Sequence, residues 1–221
     1  MKKINWTILF GVLLMLVLTI NSFNVGAFPT KLSAPQKSVS DMQWLSDGLI
    51  LREGRSTLVR SNGGIRMNMY TSELKHGDAV SVWWVVFNHP ENCTHGTMGE
   101  RCGEGDIGAD GVNASIIYAD GHVVRHTGRV IFNSMLISDR MKGVVYGNGL
   151  FNPTGADVHL IVRDHGKVIP GMMREMIRTF DGGCNVESED GENSRTGLND
   201  CVNLQYSVHE SREIVGTSSL D

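Results

Sequence analysis

The sequence predicts a mainly β domain, an antiparallel β-sandwich of Greek-key or jelly-roll type with one short helix. Three observations carry that expectation. Between residues 49 and 209 the chain breaks into seven to nine short apolar or alternating segments, with turn signals every ten or so residues. One of these, Val80 to Phe87, is apolar at both parities: Val80, Val82, Trp84 and Val86 on one face, Trp83, Val85 and Phe87 on the other. A strand with a solvated face alternates apolar and polar residues, so this one is covered on both sides. Only Pro170 to Phe180 has apolar residues at helical spacing (Met173, Met176, Ile177, Phe180), with Pro near its start and Gly182-Gly183 after its end.

The chain opens with a leader. Lys2 and Lys3 precede a nearly continuous apolar run from Ile8 to Ile20, and Val25-Gly26-Ala27 offers small residues for cleavage. The run is shorter than the roughly 20 residues that span a bilayer. Residues 1–27 therefore read first as a signal peptide and second as an uncleaved anchor, 28–44 as a flexible N-terminal extension, 45–209 as one domain and 210–221 as a disordered tail. The expected location is secreted or periplasmic. Removing the leader takes the formal charge from −4 to about −6, which argues against nucleic acid and against an anionic membrane as partners.

Within the domain, Leu49-Ile50-Leu51 suggests a short first strand. Ser56–Ser61 and Ile65–Thr71 flank Asn62-Gly63-Gly64, a strong hairpin signal. Ile65, Met67, Met69 and Thr71 alternate with Arg66, Asn68 and Tyr70, so the methionines read as core filler. The central strand follows. Val112–Tyr118 and His122–Phe132 then read as a hairpin around Ala119-Asp120-Gly121, and Gly143–Leu150 as a strand entering a turn. Val158, Leu160 and Val162 point inward from a strand that Asp164-His165-Gly166 closes, with Asp157, His159, Ile161 and Arg163 on its other face. Met172–Phe180 is a candidate cover for the second face of the central strand. Val202–His209 alternates as the last strand, with one exposed face.

Four cysteines in an exported chain read as two disulfides, and nearest-neighbour pairing gives Cys93–Cys102 and Cys184–Cys201. A zinc site using Cys93 and Cys102 with His89 or His95 lacks knuckle spacing. Glu91, Glu100, Glu104 and Asp106 lack the spacing of a calcium loop. His122 and His126 form H-x-x-x-H, but on a strand those positions stand ~13 Å apart, too far to share an ion. Neither a G-x-S-x-G elbow nor a phosphate-binding glycine loop is present. The densest titratable cluster is Asp157, His159, Arg163, Asp164 and His165, which His209 joins if the last strand lies alongside.

Thr71-Ser-Glu-Leu74, His76-Gly77-Asp78 and Val82-Trp-Trp-Val-Val-Phe-Asn88 with Pro90 and Cys93 resemble the signature of a family of exported proteins without assigned function. Asn152-Pro-Thr-Gly-Ala-Asp-Val-His159, Arg163, His165-Gly166, Pro170-Gly171 and Phe180-Asp-Gly-Gly-Cys184 resemble its second half. The resemblance spans about residues 56–209 and implies a β domain. The chain is also similar, more weakly, to chordin-type (CHRD) domains and copper–zinc superoxide dismutases, but Val82 and Trp84 stand where the dismutases carry copper-binding histidines.

The expectation is therefore an exported, disulfide-stabilised binding or structural module with no cofactor, acting on an unidentified ligand or protein. Its ligand patch would be His159, Arg163, Asp164, His165 and His209. The alternative is a metal-dependent enzyme in which His159, His165 and His209 hold Zn²⁺ or Cu²⁺. Carbohydrate binding through an exposed Trp83 is a third expectation.

Overall fold

The computed structural model describes residues 34–97, 99–185 and 197–211. They belong to one compact unit that begins at Ser33. The signal-peptide reading, the acidic stretch from Glu187 to Glu192 and the tail beyond Ser211 lie outside the described residues.

Nine strands form one antiparallel sheet: β1 (Gln36–Trp44), β2 (Ile50–Ser61), β3 (Gly64–Thr71), β4 (Asp78–Phe87), β5 (Ala114–Val123), β6 (Val130–Ile137), β7 (Val144–Tyr146), β8 (Asp157–Lys167) and β9 (Val202–His209). A single helical turn, α1 (Met173–Met176), lies between β8 and β9. The order across the sheet is β6-β3-β2-β1-β9-β8-β4-β5-β7. The mainly antiparallel β class with one short helix holds. The two layers expected of a sandwich are opposite walls of one curled sheet. Its return is marked where β6 meets the second half of β5, bridged by side chains. The Asp120 carboxylate accepts the Asn133 N–H at 3.1 Å, and the Ser134 hydroxyl donates to the Ala119 carbonyl at 2.9 Å.

Every residue of β4 is buried. Its inner face (Val80, Val82, Trp84, Val86) joins Leu58, Met67, Met69, Phe132, Leu160 and others in the main core. Its outer face lies under two disulfide-closed segments. Cys93–Cys102 and the chain after it seal Val85 and Phe87 with Val112 and Ala114. The segment through α1 and the Cys184–Cys201 bridge covers the other half, where Phe180 meets the Trp83 ring edge-on at 5.0 Å. Both disulfides are the nearest-neighbour pairs the spacing suggests. Trp83 is only 1% exposed, which rules out the carbohydrate platform that needed it open. Beyond β4, Asn88 ties off the end of the sheet: its amide donates to the Asn113 and Gly149 carbonyls and accepts the Phe151 and Asn152 N–H groups.

Three expectations need correction. Residues 36–44 are not part of a loose extension, because β1 is seated between β2 and β9. Only Met42 of that strand is buried, so ladder bonds hold it and it carries no apolar alternation. Ala119-Asp120-Gly121 is not a hairpin turn. β5 runs straight through it, with Ala119 as the extra residue of a bulge opposite Val82 and Trp83. Gly121 belongs there because a side chain would strike the Ile177 carbonyl, with an added Cβ only 2.0 Å from it. β8 does not stop at Asp164 but continues to Lys167.

Candidate functional site

The five residues of the expected patch are all buried and lie on two different faces. β9 does lie beside β8, but the register places His209 opposite Val158, an inner-face residue. Asp164 pairs with Val80 and shares that inner parity. His159, Arg163 and His165 point outward, beneath the disulfide segments. Six residues along one strand separate His159 from His165 by roughly 20 Å. The three histidines therefore cannot hold one ion, and the patch is corrected to a set of structural contacts.

Those contacts explain the burial. The His165 Nδ1 lies 3.0 Å from the Gly182 carbonyl, which can only accept, so Nδ1 carries the proton and Nε2 accepts from the Ser81 hydroxyl at 2.7 Å. The Trp83 indole N–H donates to the same hydroxyl at 2.8 Å. Arg163 donates from Nε to the Phe180 carbonyl and lies 4.1 Å over that ring. On the inner face His209 contacts Ser56 at 2.7 Å and Ser38 at 2.8 Å. The Arg60 guanidinium donates to the His209 carbonyl at 2.6 Å. Asp164 caps the Gly166 N–H, and burial raises its carboxyl. His159 meets Phe87 edge-on at 5.1 Å, and its Nε2 is buried without a hydrogen-bond partner among the described residues.

Burial sets the protonation of all three imidazoles. It lowers His159 to about 4 against a raising influence from Asp157. It lowers His165 to about 4 with help from Arg163, and His209 to about 3 with help from Arg60 and His159. All three are neutral at pH 7.

The cysteine clusters are equally committed. Cys184 and Cys201 lie within ligand distance of His165, and Cys93 and Cys102 of Asp106, but each sulfur pair is oxidised and has no thiolate to offer. Asp106 is instead a fastener for its loop. Burial would raise its carboxyl, but N–H groups of Thr94, Gly103 and His95 bond it and hold it low.

Accessible histidines gather elsewhere, at the rim where β4 begins and β5 ends. An open groove of about 540 Å³ is lined by His76, Gly77, His122, Val123, Val124, Arg125 and His126. Two turns build it. Gly77, at φ 83, reverses the chain after His76 and donates its N–H to the Val124 carbonyl at 2.8 Å. His126 sits in the turn from Arg125 to Gly128, which the Leu74 N–H pins through the Gly128 carbonyl at 3.1 Å. The Lys167 ammonium holds the His76 carbonyl and pairs with Asp78 at 3.4 Å. The His76 and His126 rings stack 4.1 Å apart and 15° from parallel. His122 turns its Nε2 to the Asp120 carboxylate at 3.2 Å and tilts against Phe132. Burial would raise the Asp120 carboxyl, but the bonds from His122, Asn133 and Gly121 hold it low.

This groove is what the sequence reading passed over. The H-x-x-x-H spacing fails only if both residues stay on the strand, and β5 ends at Val123. His126 leaves the ladder and reaches His76, a residue that nothing local in the sequence connects to it. Searched against family models, curated proteins and solved structures, the chain matches none.

Proposed function

We propose that the protein is an exported, disulfide-stapled binding or structural module that works through the rim of its curled sheet and performs no turnover. The observation that carries this reading is the burial of its acid–base residues. Ser81–His165 and Ser56–His209 have the 2.7 Å spacing of a nucleophile and its base. Yet Ser81, His165 and Ser56 are 0% exposed and His209 is 2% exposed, so no acyl group reaches either hydroxyl. A base titrating at about 4 or about 3 is also weak at neutral pH. The alternative of a Zn²⁺ or Cu²⁺ enzyme built on His159, His165 and His209 loses its support with the separation of those residues. The two disulfides suit an oxidising compartment, and among the described residues no helix is long and apolar enough to cross a membrane. The disulfides fit the secreted or periplasmic location that the leader, read as cut after Ala27, implies.

The test is to assay the tag-free exported protein on chromogenic esters, phosphoesters and peptides, and for superoxide dismutation. No turnover is expected, and Ser81→Ala is expected only to lower stability by about 2 kcal/mol by stranding the Trp83 and His165 nitrogens. Turnover that vanishes in a still-folded Ser81→Ala or Ser56→Ala variant would overturn the reading.

A further inference from the structure

We propose that the rim groove is a site for a divalent transition-metal ion of the Cu²⁺ or Zn²⁺ type, with His76 and His126 as ligands. This deepens the binding-module reading and rests on it. Six of the eight histidines have their rings tied or enclosed: His89 to Glu91, His95 to Asp106, His122 to Asp120, and His159, His165 and His209 in the interior. The His76 and His126 rings are exposed and, among the described residues, touch each other with no hydrogen bond to either ring. Neutral imidazole is the side chain that borderline divalent ions prefer.

The two side chains are near enough for one ion to be shared between them. Two imidazoles binding one tetrahedral ion at 2.0–2.1 Å hold their nitrogens ~3.3 Å apart. Near-parallel rings, 4.1 Å between centroids, aim their nitrogens side by side and not at one point, so capture requires both exposed side chains to rotate out of the stack about their χ angles. Their backbones do not have to move, because the Leu74–Gly128 and Gly77–Val124 hydrogen bonds fix the two turns against each other. The three rim imidazoles do not share a point in space as they stand, so the pair makes the capture and water fills the remaining positions. His122 lines the same groove. With Nε2 bonded to Asp120, its Nδ1 is the nitrogen left to bind, and a carboxylate behind the imidazole is the arrangement that fixes the tautomer and strengthens a ligating histidine. Arg125 also lines the groove, and its exposed side chain is free to swing toward solvent.

The experiment is a Cu²⁺ titration of the tag-free exported protein, followed by calorimetry and by the nitrogen hyperfine pattern in electron paramagnetic resonance. One ion per chain with imidazole coupling is expected. His76→Ala and His126→Ala should each weaken binding at least about tenfold, and Asp120→Asn by about tenfold. His89→Ala and His95→Ala, the first half-buried, the second exposed and both outside the groove, should leave it unchanged. Binding that His76→Ala and His126→Ala do not alter, or no binding at all, overturns the metal site and leaves the module reading standing. Metal-dependent turnover lost in those same variants would uphold the site and overturn the module reading.

Discussion

His165 and His126 both sit beside the central strand, and they have opposite fates. His165 lies under the Cys184–Cys201 bridge with both ring nitrogens bonded, to Ser81 and to Gly182. His126 stands in a solvent-facing turn and stacks on another histidine. The first region is dense in titratable residues along the sequence, and the fold consumes all of them. The second draws its histidines from two turns about fifty positions apart in the chain, and leaves them open. Polar density along a strand therefore marks the fold's own fastenings here, whereas the accessible chemistry comes from turns that only strand pairing brings together.

The contrast is broken most severely by acid. His159, His165 and His209 are held neutral, with folded values of about 4, about 4 and about 3 against 6.5 when unfolded. Below pH 6.5 the unfolded chain binds more protons than the folded one. The contribution of the three is complete above 6.5 and is lost as pH falls from there towards 4. Urea midpoints should fall between pH 7 and pH 5 by an amount equivalent to several kcal/mol in total. A flat profile would mean that the interior is open to protons and that the two regions do not differ.

Next in size is Arg101→Ala. Arg101 grips the buried Asp157 carboxylate through Nε at 2.8 Å and a terminal nitrogen at 2.7 Å. Stranding that charge should cost about 3 kcal/mol, read as a lower urea midpoint at pH 7. The smallest effect sharpens the comparison from the other side. His126→Ala should change stability by no more than about 0.5 kcal/mol, as at any exposed site. A larger loss would make the rim histidines structural too.

What the sequence made legible was set by local signals. The doubly covered strand β4, the Asn62-Gly63 hairpin and the alternating β9 announce themselves within a few residues, and the Cys spacings named both disulfides. β1 was hidden because a strand held by its neighbours' ladders needs no apolar face. The Asp120-Gly121 pair misled because a bulge and a turn use the same residues, and only the approach of Ile177 distinguishes them. For β9 the strand was right and its facing was not: Gln205, Ser207 and His209 point inward, where Thr71, Ser56 and Ser38 meet them, and Tyr206 on the other parity is buried as well. No local pattern reveals that a polar stripe will find hydroxyl partners on strands 130 to 170 residues away.

The seating of β1 between β2 and β9 has a consequence for biogenesis. The earliest described strand finds its second neighbour only in the last one, through Gln43 with Tyr206 and Trp44 with Gln205. The sheet therefore stays divided until residue 209 has emerged, and pairing across so long a separation is intrinsically slow. Under the export proposed above, a chain that threads a translocon in extended form meets this requirement, because its two ends are reunited only after crossing.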